Sequence, residues 1–519
     1  MLCKGGTCLK YTICSKYLIF PVNKEAAVKR LAFLAGETSV YELNIRLDNL
    51  HPDFYSYVDV GRFMGEELEL TVDPIMPLRF ETAEEMKFKD EYKEPLRPQV
   101  HFTTKNGWNN DPNGLVYMDG KYHLFYQHNP CAPQWNNMHW GHAVSADLLH
   151  WEEKEIALFP DETGTMYSGS AIPDEQNLLG LNTEKQKAMV LFYTATKPPR
   201  KQCMAYSLDS GETFIKYDGN PIVPHIEAYN RDPKVVWCAE MGCYVMALYL
   251  NQDRYGLLES KNLKEWKLFG QVALAGDSEC PDLFCLTDSD GNRRWVLMGA
   301  ADKYLVGKFE NREFVPLQTS RSLHYGKINY AAQSYDGIPD RVVRIAWNKL
   351  KVDGGRFSQQ MGFPTEMSLE KLAGEYYLCA RPVREIEKLY LDEIKETSLL
   401  LSPDNAKRWD VESAPLLISL KADAALTLSV FGGKIIVDPE RNELKVLDSV
   451  GPLSLSCRQT ELTVLIDRCS MEVYADGGKI CFTQRFVSDY NLPFVEIKGE
   501  GEIVDIEMHT LKSIWEEEK

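Results

Sequence analysis

Three short segments of the chain repeat one another. Ser145-Ala146-Asp147-Leu148-Leu149-His150-Trp151 and Ser260-Lys261-Asn262-Leu263-Lys264-Glu265-Trp266 share Ser, a short acid or amide, Leu and Trp in order, and Ser207-Leu208-Asp209-Ser210-Gly211-Glu212-Thr213-Phe214 is a looser copy between them. Each follows two strand-like runs and precedes another. A fixed repeat identifies a stacked or radial architecture before any single strand is assigned. Placed as the turn between the third and outermost strands of a four-stranded sheet, this one reads as a β-propeller. Acidic residues open the repeating units: Asp111 before Pro112, Asp232 before Pro233, and Glu279 before Cys280-Pro281. Asp232 and Glu279 lie roughly one repeat of about 45 residues apart, and Asp111 precedes Asp232 by a little over two. Because the first strand of every blade lines the central channel, these distant acids are expected around one funnel.

Elsewhere the pattern is short runs rich in Val, Ile, Tyr, Phe and Leu, punctuated by Gly, Asp, Asn and Pro, so the chain reads as all-β. Gly114–Met118, Asp119-Gly120 and Lys121–Gln127 predict a hairpin with a type I′ turn. Charge-rich Glu81–Tyr92 reads as a helix or linker, and Pro382–Glu396 as a charged, helix-compatible connector. The expected organisation is a small N-terminal β module with linker (1–95), a propeller (96–385), and a connector with a C-terminal β-sandwich (386–519).

At 519 residues the chain has length for several cores. Its net charge of -18 opposes binding to phosphate backbones and anionic membranes, so neither nucleic acid nor membrane is an expected partner. No stretch has the apolar length of a membrane span. The thirteen cysteines include no zinc-type spacing and read as free thiols of a reducing compartment. With no convincing leader at the N-terminus, the expected location is cytoplasmic. His139 and His142 lack a partner acid at ligand spacing, so no metal or other cofactor is expected. Nothing in the sequence opposes a homo-oligomer.

The three acids sit in marked contexts. Trp108-Asn109-Asn110-Asp111-Pro112-Asn113-Gly114 surrounds Asp111 with polar neighbours that favour its ionised form, although the same residues suit an ordinary turn. Arg231-Asp232 reads equally as a surface ion pair. Ser278-Glu279-Cys280-Pro281-Asp282-Leu283-Phe284 puts a carboxyl beside a thiol at the entrance to an apolar strand, a site where desolvation is expected. Two carboxyl groups flanking a glycosidic bond split it as acid/base and nucleophile, and a third stabilises the charge that develops.

Together these motifs resemble glycoside hydrolase family 32, the invertases, inulinases and levanases, from about Pro98 to the C-terminus. The resemblance implies a five-bladed propeller followed by a β-sandwich, and a retaining exo-type β-fructofuranosidase acting on sucrose, fructo-oligosaccharides or fructans. It assigns Asp111 as nucleophile, Glu279 as acid/base and Asp232 as transition-state stabiliser. It also makes Asn110, Gln127, Trp135, Ser168 and Arg231 sugar contacts, with Trp347 an aromatic wall or an ordinary core residue. Ile345-Ala346-Trp347-Asn348 departs from the family's usual Gly-Trp-Met.

Strand geometry raises one difficulty. Successive residues face opposite sides, so Asn110 with Asp111, or Arg231 with Asp232, cannot both enter the funnel from a regular strand. Three other functions suit the same scaffold: fructosyl transfer, non-catalytic fructan binding, and pentosidase action. Binding alone predicts loss of an acid, and none is lost. The Asn-Asp-Pro-Asn-Gly and Glu-Cys-Pro-Asp blocks disfavour a pentosidase.

Overall fold

The structure, a computed structural model, describes residues 8–352, 356–454 and 459–516. Five antiparallel sheets follow one another in the middle of the chain. Their innermost strands are Gly107–Met118 (blade I), Met166–Pro173 (II), Arg231–Cys238 (III), Asp282–Thr287 (IV) and Asn329–Ser334 (V). These strands touch in the order I-II-III-IV-V-I, which closes a five-bladed propeller. Closure is sealed by parallel pairing of Phe357–Ser358 with Gly107–Trp108 and by a Val116–Asp336 bridge. Such closure leaves the ring no free sheet edge between its first and last blades.

The repeated turns stand between the third and fourth strands of blades I, II and III. In blades I and III the short acid or amide caps the turn: Asp147 Oδ1 accepts from the Leu149 and His150 amides, and Asn262 Oδ1 from those of Lys264 and Glu265. Leu148 and Leu263 take left-handed φ values of 67° and 63° and are fully buried. Their carbonyls accept from the Trp151 and Trp266 indoles. The repeat is therefore an Asx turn locked by a tryptophan. At the expected hairpin, Asp119 and Gly120 have φ of 52° and 78°, the positive pair a type I′ turn needs.

Below the funnel the channel is filled by charge. Arg344 pairs with Asp282 and Asp302 at 3.1 and 2.9 Å, and Lys234 lies 3.2 Å from Asp282, all four nearly inaccessible to water. Buried charges persist only when paired and hydrogen-bonded, and this set ties blades III, IV and V together.

Pro382–Glu396 holds a short 3-10 helix, Arg384–Leu389, and then enters a strand at Tyr390. The sandwich that follows is built around two long strands, Leu416–Val430 and Phe494–Leu511, which bridge its halves and enclose a core of Leu, Ile, Val and Phe. It meets the propeller at His101, whose ring nitrogens lie 2.8 Å from Asp467 and 3.2 Å from Glu472, all buried.

The N-terminal module has a four-stranded and a three-stranded sheet packed on an apolar core. Glu81–Tyr92 is neither a helix nor wholly a linker: Glu81–Ala83 pairs with Tyr17–Ile19 as an edge strand, and turns follow. Its charge pattern lacks the apolar stripe that would hold a helix against a core. Cys131, from the propeller, belongs to the module's core. No described helix is long and apolar enough to cross a membrane.

Candidate active site

Backbone irregularity removes the difficulty over strand facing. Pairing register shifts between Asn109 and Pro112 in blade I, Tyr167 and Gly169 in II, Arg231 and Lys234 in III, and Tyr330 and Gln333 in V. Each shift is a bulge beside the funnel, and a bulge re-aims side chains that a regular pleat would separate. Asp232 has φ of 62°, and Glu279 and Cys280 have 58° and 33°. Left-handed backbone is costly for residues with a side chain and collects at functional sites.

The result is a continuous polar network. Arg231 Nη2 donates to Glu279 Oε1 at 2.5 Å, and its Nε lies 3.4 Å from Asp232 Oδ2. The Cys280 backbone N–H donates to that same Asp232 oxygen at 3.2 Å. The Cys280 thiol lies within donating distance of two carboxylates, at 3.5 Å from Asp232 Oδ2 and 3.6 Å from Asp111 Oδ2. Ser168 donates to Asp111 Oδ2 at 2.6 Å. Acids from blades I and III and the one preceding blade IV thus share one site.

Their environments differ. Asp232 is 3% exposed, and burial lifts its pKa to about 6; Arg231 opposes the rise and Asp111 adds to it. Burial also raises Asp111, against hydrogen bonds from Ser168 and Asn110 and with the Glu279 charge. The polar neighbours expected to keep Asp111 ionised are present but are outweighed by desolvation. Glu279, expected at a desolvated strand entrance, has a side chain 36% exposed and pinned by a cation. It precedes the strand and so stands higher in the funnel.

The expected sugar contacts are placed as follows. Asn110 Oδ1 accepts from the Trp108 indole at 2.8 Å. The Gln127 amide nitrogen donates to the Met166 carbonyl at 2.9 Å, which ties blade I to blade II. Trp135 is 52% exposed, with its ring 6.4 Å from that of Tyr167, the neighbour of Ser168. Trp347 donates to Gln359 Oε1 at 3.1 Å and presents its ring near Trp108 and Tyr330, so it belongs to the funnel wall rather than the core. His139 is engaged by Tyr41 and the Asn137 carbonyl, and His142 by His123, so each has a hydrogen-bond partner. Among the described residues Glu393, Glu507 and His509 could gather around an ion, but they lie in the sandwich, where Glu507 is bonded to Lys395 and His509 and the His509 ring stacks on Tyr390.

Residues 101–382 match the model for the glycosyl hydrolases family 32 N-terminal domain, and residues 428–510 match that for the family 32 C-terminal domain. The chain belongs to glycoside hydrolase family 32. It is 33% identical over 489 residues to a levanase of Bacillus subtilis, covering 82% of this chain and 72% of that protein. It is 29% identical to an extracellular exo-inulinase of Aspergillus niger, covering 82% and 96%. The crystal structure of exo-inulinase from Aspergillus awamori superposes with a TM-score of 0.73 at 26% identity, covering 82% of this chain and all of that one. The N-terminal module lies outside the family 32 match.

Sequence reasoning missed part of this family 32 site. Tyr330 donates to Glu279 Oε2 at 3.0 Å, opposite Arg231. Lys349 Nζ stands 3.1 Å from the centre of the Tyr330 ring, and burial lowers its pKa while Asp111 and Glu279 oppose the fall. Thr194 accepts from the Asp232 amide at 3.0 Å. Cys280 was visible only as a neighbour of an acid. The one available signal was position: Tyr330 opens a blade as Asp111 and Asp232 do.

Proposed function

We propose that this chain is a retaining, exo-acting β-fructofuranosidase that releases terminal fructosyl units from sucrose, fructo-oligosaccharides or fructans. The observation that carries the reading is the single network joining Glu279, Arg231, Asp232, Cys280, Asp111 and Ser168. In this reading Asp111, deep in the funnel, attacks the anomeric carbon of the fructosyl ring as Glu279 gives its proton to the leaving oxygen. Glu279 then takes a proton from water, which attacks the same carbon and frees Asp111 with net retention. Ser168 and Asn110 favour the anionic nucleophile against the cost of burial.

Arg231 and Tyr330 fix Glu279 from two sides, so its carboxyl is oriented before substrate arrives. In this reading Asp232, held by Arg231 and by the Cys280 amide and thiol, accepts from fructose hydroxyls and offsets positive charge at the ring. Trp135, Trp347 and Trp108 supply flat apolar faces with polar edges for ring stacking. The names of the relatives, levanase and exo-inulinase, support a fructan among the substrates.

The deciding experiment is a panel of sucrose, inulin, levan and short oligofructosides, with products resolved by chromatography. Free fructose as the first product from each substrate used is the expected result. Oligofructosides accumulating ahead of fructose would shift the assignment to transfer, and pentose release from an aryl arabinoside without action on sucrose would overturn it.

A further inference from the structure

The N-terminal module does more than abut the propeller. Asn44 exchanges two hydrogen bonds with the Asn137 side chain, its amide donating at 2.7 Å and its carbonyl accepting at 2.9 Å. Tyr41 meets His139 at 2.8 Å. Cys131 is buried in the module's core. The loop from Cys131 to Asn137, which carries Trp135, is thus fastened to the module at both ends.

Beside this loop, between module and blade I, lies a groove of about 370 Å³, a size that suits a small ligand or a short stretch of polymer. Its floor includes Gly107 and Pro133. One wall comes from the module's strand Phe54–Asp59 and from the turns after Glu81–Ala83, with Tyr55, Tyr57 and Phe88 as aromatic faces and Lys89 as a donor. Tyr55 is 54% exposed. Gly107 begins the innermost strand of blade I, four residues before Asp111, so one short stretch of chain joins the groove to the nucleophile. Trp108 follows Gly107 directly, and Trp135 belongs to the loop that borders the groove at Pro133.

We propose that this groove is a subsite for the distal part of a fructan chain whose terminal unit occupies the funnel, an inference that rests on the reaction assigned above. An exo-acting site admits one terminal unit, and the rest of the chain must leave across the rim. The groove starts at Gly107, the first residue of the strand that carries Asp111, and aromatic faces with adjacent N–H donors match the alternation of apolar ring face and hydroxyl edge on a neutral sugar chain. Sucrose has one ring beyond the scissile bond and ends short of it. The module therefore favours long substrates, although it lies outside the region matched by the family.

The test compares kcat/KM on levan or inulin with kcat/KM on sucrose for the full chain and for its Tyr55→Ala and Phe88→Ala variants, with Tyr55→Phe as the conservative control. Each truncation is expected to lower the polymer-to-sucrose ratio about fivefold, within the range that loss of an exposed aromatic contact produces, and Tyr55→Phe to restore most of it. Tyr55 is exposed enough that truncation leaves the core intact; circular dichroism and the melting temperature check this. An unchanged ratio in both truncations overturns the subsite, as does an equal loss on sucrose and polymer. If the unmodified chain acts on no β-fructoside, the reaction itself is misassigned, and that result appears before any variant is made.

Discussion

Arg231 holds Glu279 and Asp232 at once, its Nη2 at 2.5 Å from the first and its Nε at 3.4 Å from the second. One guanidinium thus fixes the distance between these two carboxyl groups. A lysine offers a point charge in place of a planar fork and cannot serve both geometries. Arg231→Lys is expected to lower kcat about a hundredfold, with the fold unchanged by circular dichroism. Retention of most of the activity would mean the bridge is incidental.

The ionisation of the buried acids sets a pH dependence. In the mechanism proposed above Asp232 must be charged to stabilise a cationic ring, yet burial lifts it to about 6. The profile of kcat/KM should therefore fall as pH drops below about 6, higher than an unperturbed carboxylate would dictate. In Ser168→Ala, Asp111 loses the 2.6 Å hydroxyl contact that favours its anion. The acid limb should then move to higher pH and kcat/KM at neutral pH fall about tenfold, since a hydrogen bond to a charged group is at stake. An unmoved limb would separate Ser168 from the nucleophile.

Asp111→Asn should remove turnover by at least about a thousandfold while sugar binding survives, because the pocket keeps its shape and loses only its nucleophile. Isothermal titration with fructose measures the second half of that statement. Substantial residual hydrolysis would return the nucleophile's role to another group.

Glu279→Ala should cost roughly 10²–10⁴-fold on sucrose, the usual worth of a general acid, and far less on an aryl fructoside whose leaving group needs no proton. Equal losses on both substrates would make Glu279 a positioning residue.

His101 is a stability element. Burial opposes its charge, but hydrogen bonds donated to Asp467 and then to Glu472 overcome this and raise its pKa to about 9. A histidine raised in the fold contributes stability in full below its unfolded value near 6.5, and that contribution is lost as pH rises through about 9. Burial also works against Asp467 and Glu472, yet their bonds to His101 hold both pKa values below the ordinary range, so their share is lost on strong acidification. His101→Ala leaves two buried carboxylates without a counter-charge and should destabilise the chain by about 3–5 kcal/mol. Urea melts from pH 5 to 10 would show it, and a pH-independent difference between the two proteins would count against the linkage.

Much of this was legible in the sequence because it depends on local chemistry. The Ser-to-Trp turns reveal the blades because the same capping bonds recur in blades I and III, and Asp111, Asp232 and Glu279 mark their mouths because proline follows at once or one residue later. What stayed hidden depends on contacts distant in sequence. Tyr330 and Lys349 reach the site from the fifth blade, and nothing beside them in the chain signals an acid to meet. The bulges that let Arg231 and Asp232 enter one funnel are backbone shifts, and an Arg-Asp-Pro string does not specify a left-handed aspartate. Glu81–Tyr92 misled because charge density marks solvent exposure and not helix.

Cys131 has a consequence for how the protein comes apart. A residue that belongs to the propeller by sequence lies in the core of the module, so melting the module is expected to open this edge of the propeller to water. The boundary drawn by ancestry falls at residue 101, whereas the apolar cluster that holds Cys131 draws residues from both sides of it. Shortening the chain to the matched region would uncover Cys131 and Phe159, and the shortened enzyme is expected to self-associate more readily through the apolar surface so exposed.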